Sequence, residues 1–443
     1  MSGYENYTLF PVPWIKQMPE HWGLVRGKNL YQKMQRPTSD TDEVVTCFRD
    51  GTVTLRKNRR TTGFTESLKE IGYQGIRKGD LVIHVMDAFA GSIGVSDSDG
   101  KGTPVYSVCQ AKGNSNNQYY ALLLREMARS GYIQSLYRGI RERSSDFRFE
   151  VFAAQFYPVP PREEQDQIVR FLDWKVSNIN KLINIKHKEI SELNESLNTK
   201  LRDVLLSVPN VKEVPLKRIC SVPMTDGPHE TPTFVDSGIP FVSAEASHDG
   251  RIHLDECRGF ITREQHEVYC QKVRPHKNDI FIVKSGSTTG KTVMVDFDEE
   301  FSIWSPLALV RCNNLAMPRY VFFYCTSVMF QKQVRDNWSF GTQPNIGMGV
   351  LENLRLPLPE IEEQRAIVDT LDAYWSKVLQ VKCNLKKQIE EFQSLKTRII
   401  ADAVTGKIDV RGIEIPEYEF VDEDADADNE LSLIHISEPT RRS

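Results

Sequence analysis

Two stretches of this 443-residue chain repeat each other at one fixed offset. Segments 157–173 (YPVPPREEQDQIVRFLD) and 356–372 (LPLPEIEEQRAIVDTLD) align without gaps at a shift of 199 residues. Pro158, Pro160, Glu163, Glu164, Gln165, Ile168, Val169, Leu172 and Asp173 all recur. The same shift pairs Asp80 with Asp279, Ile83 with Ile282, Gly91 with Gly290 and Asp97 with Asp296. One offset held over about 90 residues marks a duplicated unit. The chain therefore reads as two copies of one unit, each a globular segment followed by a long helix.

The prolines account for where the helices begin. Proline is excluded from helix interiors, and the residue before it prefers extended backbone. Pro158–Pro161 and Pro357–Pro359 thus end a strand-like stretch, and the Glu-Glu-Gln that follows puts negative charge in the first helical turn, where the dipole favours it. A heptad-like series, mostly apolar, then steps by threes and fours. In the first copy these are Ile168, Leu172, Val176, Ile179, Ile183, Lys186, Ile190, Leu193, Leu197, Leu201 and Val204. In the second they are Ile367, Leu371, Tyr374, Val378, Val381, Leu385, Gln388, Phe392, Leu395, Ile399 and Ala403. This is a coiled-coil seam on both helices. About 45 residues at ~1.5 Å each make a rod of roughly 65 Å. Each fully buried Leu or Ile contributes about 1.5–3 kcal/mol, so pairing of the two helices is well supported. A coiled coil that dimerises separate chains is the alternative, but two matched helices in one chain pair more simply with each other. The Pro209 and Pro215 region ends the first helix, and Gly406 caps the second.

The globular segments carry β-branched and aromatic runs between glycine turns. In the first copy these are 80–86, 92–95 and 104–109; in the second, 279–283, 292–295 and 307–310. Each segment adds a helix-like stretch, at 118–128 and 318–336. The expected class is α+β, with a central twisted sheet in each segment. The expected division is 1–157, a first helix at 158–207, 208–356, a second helix at 357–412, and a tail at 413–443. No apolar run approaches the roughly 20 residues a membrane helix needs. The N-terminus lacks the basic-then-apolar order of a signal peptide, and eight scattered cysteines without a CxxC pair suit reduced thiols. A cytoplasmic protein is expected.

The net charge of −4 argues against nucleic acid until its distribution is considered. Between Glu417 and Glu430 lie eight acids and no Lys or Arg, so the remainder carries +4. A mildly basic body with an acidic, solvated tail is compatible with DNA binding. Residues 431–443 (LSLIHISEPTRRS) break abruptly from the acidic run and look like a foreign extension. Basic residues gather in loops at 56–60, 138–148 and 272–277, and at Lys284 and Lys291. Such groups can pair with phosphates, or with guanine where they reach a major-groove edge. Each cluster alone is more simply a solvated surface; their presence in both copies favours DNA.

Two sharper motifs are weighed and set aside. Segment 285–292 (SGSTTGKT) nearly matches a phosphate-binding GxxxxGK[ST] loop, but Ser285 replaces the first glycine and a strand follows where a helix N-terminus is needed. His253-x3-Cys257 and His266-x3-Cys270 could place four zinc ligands, yet the first copy has no equivalent. Neither a GxGxxG loop nor an Asn/Asp-Pro-Pro-aromatic tetrapeptide occurs. No catalytic centre, cofactor site or metal site is therefore expected.

On these residues the chain resembles the specificity subunits of type I restriction-modification enzymes. The marks are 357–365 (PLPEIEEQR) and its twin 158–165, segment 341–346 (GTQPNI), the strand openings 79–83 and 278–282, and 403–408 (AVTGKI) closing the second helix. Their order, repeated twice, spans residues 10–412. The resemblance implies two target-recognition domains at 1–157 and 208–356, each followed by a spacer helix. It implies that the helices run antiparallel with pseudo-twofold symmetry and that each domain reads one half of a bipartite double-stranded DNA site. It further implies two modification subunits using S-adenosylmethionine and two restriction subunits using ATP and Mg, all of that chemistry lying outside this chain. The expected DNA-contacting residues are Arg56, Lys57, Arg59, Arg60, Arg141 and Arg143 in the first domain, and Lys284, Lys291, Thr342, Gln343 and Asn345 in the second. A coiled-coil scaffold, a nucleotide hydrolase built on Ser285–Thr292, and an anti-restriction decoy of the same fold are the competing readings.

Overall fold

The computed structural model describes residues 2–59, 71–136, 146–340 and 343–423. The chain divides into two compact units: Met1–Ile183 with Glu390–Glu423, and, among the described residues, Asn184–Ile389. The class is mixed α and β, with two 44-residue helices, Arg162–Leu205 and Ile361–Val404. The units divide each long helix between them. Among the described residues no helix is long and apolar enough to cross a membrane.

The first unit is built on a four-stranded antiparallel sheet in the order Tyr31–Lys33, Tyr106–Ala111, Leu81–His84, Ile93–Val95. Its central strands read Val, Ile, Leu and Tyr and are buried, as a sheet covered by a helix requires. The covering helix, Asn117–Arg129, starts where the Asn116 side chain accepts hydrogen bonds from the Gln118 and Tyr119 amides. Strand Phe156–Val159 pairs antiparallel with Gly23–Arg26 and leads through Pro160-Pro161 into the first long helix. Glu163 and Glu164 occupy that helix's first turn. Glu164 is buried and accepts hydrogen bonds from Tyr4 Oη and, at 2.9 Å, Trp22 Nε1, which ties the N-terminal segment to the helix.

The second unit holds a six-stranded sheet in the order Thr225–Asp226, Leu307–Val310, Ile280–Val283, Thr292–Met294, Arg251–Ile252, Ser247–His248. A three-stranded sheet lies beside it in sequence, with Ile239–Val242 between Gly259–Ile261 and Ser302–Ile303. Strand Arg355–Pro357 pairs antiparallel with Glu213–Pro215 and feeds the second long helix. The helix expected at 318–336 is two helices, Pro318–Thr326 and Val328–Asn337. Ser327 breaks it: its hydroxyl donates to the Tyr324 carbonyl at 2.7 Å and accepts from the Phe330 amide, so it closes one helix and caps the next.

Most residues of the expected seam are buried or half-buried. Ile168, Leu172, Ile179 and Ile183 are buried in the first unit, with Ile399 and the half-buried Phe392. Ile190, Leu197, Leu201, Ile367, Leu371, Val378 and Leu385 are buried in the second, with Leu193 half-buried. Val381 does not belong: it is 38% exposed, and Lys382 and Ile389 stand on the packed face in place of Val381 and Gln388. A lysine stem buries readily when its ammonium finds a partner, and Lys382 Nζ lies 4.0 Å from Asp249. Similarly His187, not Lys186, is buried on the first helix.

Gly406 has φ +75 and its amide bonds the Ala403 carbonyl, closing the second helix as expected. The segment after it differs from a wholly solvated tail. Ser177 Oγ donates to the Glu419 carbonyl (3.1 Å) and accepts from the Val421 amide (3.0 Å), while Asn180 Nδ2 donates to the Val421 carbonyl. Polar residues on the helix supply the edge that an extended chain needs, and this holds residues as far as Glu423. The acidic residues beyond it, and 431–443, lie outside the described residues.

Candidate nucleic-acid interface

In the second unit the expected contacts assemble around one hairpin. Ile280–Val283 and Thr292–Met294 pair antiparallel, with Ile282 opposite Thr292. The loop between them is a strand-to-strand turn, so the SGSTTGKT segment has no helix N-terminus for a nucleotide phosphate. Gly290 sits at φ +96, and a Cβ there would lie 2.5 Å from Gln331 Oε1. Gln331 Nε2 donates to the Gly290 carbonyl at 2.7 Å, so glycine is required on two counts.

The segment carrying Gln343 and Asn345 zips onto the base of this loop. The Gly286 amide donates to the Pro344 carbonyl (3.1 Å), the Ile346 amide to the Lys284 carbonyl (2.8 Å), and Thr289 Oγ1 to the Pro344 carbonyl (3.0 Å). Gln343 and Asn345 are exposed beside Ser285 and Gly286. Thr342 lies outside the described residues.

The two lysines of the hairpin differ. Lys284 is 14% exposed and its ammonium lies 2.9 Å from Asp226 Oδ2; Lys272 holds the other oxygen of the same carboxylate. Burial pulls the Asp226 carboxyl up, but the hydrogen bonds from Lys272 and Lys284 prevail and hold it below the ordinary carboxylate range. Lys284 therefore serves the fold first. Lys291 is half-buried, and no carboxylate stands within 4.0 Å of its ammonium among the described residues. Burial lowers its pKa.

In the first unit the expected cluster follows strand Val53–Leu55 as a single 3-10 turn, Arg56–Asn58. Arg56 is half-buried with Nε 3.3 Å from Thr46 Oγ1. Lys57 is exposed and pairs with Glu43 at 2.6 Å. Arg59 pairs with Asp50 and stacks over the Phe48 ring at 4.6 Å. Such exposed pairs are worth at most about 1 kcal/mol and exchange readily for a phosphate. Arg60, Arg141 and Arg143 lie outside the described residues.

A cleft of about 610 Å3 opens beside Arg59, lined also by Phe48, Arg49, His84, Asp87 and Tyr106. Reading the basic runs alone missed Arg49, His84 and Asp87. Arg49 pairs with Asp87 at 3.0 Å, and the Asp87 amide donates to His84 Nδ1. Burial lowers the His84 pKa against the opposing pull of Asp87, and Arg49 adds to the lowering. The imidazole is thus neutral near pH 7, and with its Arg and aromatic neighbours it offers both hydrogen bonding and stacking. The signal available in sequence was Asp50-Gly51, a turn pair between two short β-branched runs, which puts Phe48 and Arg49 at a hairpin tip.

Residues 210–391 match the family described as "Type I restriction modification DNA specificity domain". The MjaVIII type I restriction enzyme specificity subunit of Methanocaldococcus jannaschii is 25% identical over 312 residues, covering 67% of this chain and 70% of that protein. The EcoBI specificity subunit of Escherichia coli is 26% identical over 175 residues, covering 39% of this chain but only 36% of that protein. A chain from a solved type I R-M system shares the fold with a TM-score of 0.61 at 18% identity, covering 88% of this chain and 99% of that one. Residues 210–391 thus carry a type I specificity domain, and over two thirds of its length the chain is similar to a curated specificity subunit of a type I restriction enzyme.

Proposed function

We propose that this chain reads DNA sequence for a type I restriction-modification enzyme and carries out no chemistry itself. The observation that carries the reading is the specificity domain, which coincides with the unit where Lys291, Gln343 and Asn345 gather at one hairpin. In this reading residues 1–157 and 208–356 are two target-recognition domains, each binding one half of a bipartite site. Helices 158–207 and 357–412 pair as an antiparallel coiled coil with pseudo-twofold symmetry and set the gap between half-sites. The contacts are those expected above, with Arg49 and His84 added. Two modification and two restriction subunits supply S-adenosylmethionine, ATP and Mg chemistry.

Equivalent bonds in the two copies support the duplication. Gln165 Nε2 donates to the Pro160 carbonyl and its Oε1 accepts from the Asn116 amide; Gln364 does the same with Pro359 and Met317. Asp80 accepts from the Arg77 amide and pairs with Arg36, as Asp279 accepts from the His276 amide and pairs with Arg311. Gly91 and Gly290 share a left-handed φ, +91 and +96. Antiparallel pairing of the helices is supported by contacts inside each unit: Asn180 meets Lys396, and Ser196 meets Tyr374.

The test is co-expression of residues 1–430 with a cognate modification subunit, followed by mapping of N6-methyladenine across the host genome. One split motif with a fixed gap is the expected result. No methylation from a stable complex would point to a decoy, and failure to form any complex would point to a scaffold.

A further inference from the structure

A basic cluster wholly within the second unit joins Lys291 of the hairpin to two lysines of the second long helix. It begins at a two-residue β-turn. Strands Ser247–His248 and Arg251–Ile252 are joined by Asp249 and Gly250, both with positive φ (+51 and +80). This is the Asp-Gly pattern of a type I′ hairpin turn. A Cβ on Gly250 would meet Trp375 at 2.8 Å and Phe322 at 2.9 Å, so the turn is pressed against the second long helix. That seating delivers the Asp249 carboxylate to the lysines of the helix.

Lys386 Nζ lies 2.9 Å from Asp249 Oδ2 and Lys382 Nζ 4.0 Å from Oδ1. Lys291 lines the same cleft as Asp249, Lys382 and Lys386. The three lysines line one cleft of about 440 Å3, whose acidic lining groups are Asp249 and Glu245. Glu245 faces Arg258 at 3.4 Å, and His248 also draws on the Asp249 carboxylate. Two of the three ammoniums thus share one carboxylate that His248 also engages, and Lys291 adds a third positive charge to the same cleft.

Concentrating like charge in a half-buried cleft is unfavourable, because burial removes the hydration that ammoniums need and each repels the others. Burial lowers the pKa of Lys382, with Asp249 opposing and Lys386 and Lys291 reinforcing the shift. The fold could have placed glutamine or leucine at these positions. A cleft that instead gathers three ammoniums around the single Asp249 carboxylate holds more positive than negative charge, and is arranged for an anion that several donors can reach at once. Asn198 and Thr288 add neutral polar groups to the same lining.

We propose that Lys291, Lys382 and Lys386 form a binding site for a single phosphate group. The source of the phosphate is either a DNA backbone phosphodiester or a free phosphate. The first source deepens the DNA-reading function and rests on it; the site itself does not. Lys382 and Lys386 come from the long helix rather than from the recognition loops, so the contact carries no base information. It would hold backbone irrespective of sequence.

The experiment has two arms. In the first, inorganic phosphate is titrated against the full chain at constant ionic strength balanced with chloride, and the unfolding midpoint is followed. A saturable rise is expected for the native chain. An apparent affinity on the order of tenfold weaker is expected for each of Lys386→Gln and Lys291→Gln. Midpoints in chloride alone establish that the variants fold, and Lys291→Gln leaves the helix packing untouched. In the second arm, DNA affinity of the complex with modification subunits is measured against salt. Neutralising the cluster with Lys382→Gln and Lys386→Gln lowers the slope of log K on log salt by about one if the phosphate is a backbone phosphodiester. A phosphate response with an unchanged slope assigns the site to free phosphate. No saturable response in the native chain together with an unchanged slope overturns the site. A complex that binds no DNA overturns the DNA-reading function instead, while the phosphate titration still decides the site.

Discussion

Gln165 and Gln364 are buried glutamines that use both ends of the side chain on backbone, one end closing the proline hinge and the other holding a helix start. An alanine at either position strands a buried amide and a buried carbonyl, each an uncompensated polar group. Gln165→Ala and Gln364→Ala are each expected to destabilise by about 1–3 kcal/mol, read from urea unfolding of the chain. Both glutamines stand in the repeat, so their importance was legible; their partners at 116 and 317 were not, because those lie far along the chain. His248 makes a pH-dependent contribution of its own. The hydrogen bond to Asp249 and the one to Glu256 hold its pKa above the ordinary 6.5. A raised pKa contributes stability that is complete below 6.5 and is lost as pH rises through the folded value. The unfolding midpoint should therefore fall as pH rises across that range, and His248→Gln should flatten the profile. A profile unchanged by the substitution would remove His248 from the account.

The long helices were the most legible elements, since proline hinges, first-turn acids and a three-and-four spacing of apolar residues all point the same way. The register of the second helix near its middle was not legible. Spacing alone favours Val381 and Gln388, whereas packing selects Lys382 and Ile389, because Asp249 supplies a partner for a buried ammonium. Val381→Glu should accordingly change stability by no more than about 0.5 kcal/mol. Leu385→Ala, four residues on, should cost about 2–5 kcal/mol. Thermal unfolding of the pair decides between the two registers. The break at Ser327 belongs to the same scale: an apolar pattern runs through 318–336, and only the hydrogen bonds of one serine divide it.

For the whole molecule, a DNA reader assembled with modification subunits should lose affinity steeply with salt, with log K falling by about 0.9 per phosphate contact for each unit of log salt. A wrong base in a half-site should cost roughly 1–3 kcal/mol. A flat salt response with no base preference would sink the proposal. Inserting one heptad into the first long helix should alter the number of unspecified base pairs and leave the half-site bases as they were. A change in the bases themselves would refute the role of the helices as a ruler. These outcomes are measured on the assembled complex by salt titration and by methylation mapping.

The sequence by itself determined a set of residues recurring at one fixed offset, the prolines behind which the long helices begin, the strands between glycine turns, and which family the chain resembles. Those properties are local or periodic: proline geometry, dipole-favoured acids and apolar spacing act within a few residues. Only the tertiary structure decided which basic residues are committed to the fold. Lys284 and Lys291 flank the same loop, yet one is held by Asp226 and the other lines a cleft with Lys382 and Lys386. An ion pair depends on where a distant carboxylate arrives, and Asp249 arrives through a turn whose glycine is seated on Trp375. No pattern along the chain encodes that distance, because it is set by the packing of a hairpin on a helix more than a hundred residues away.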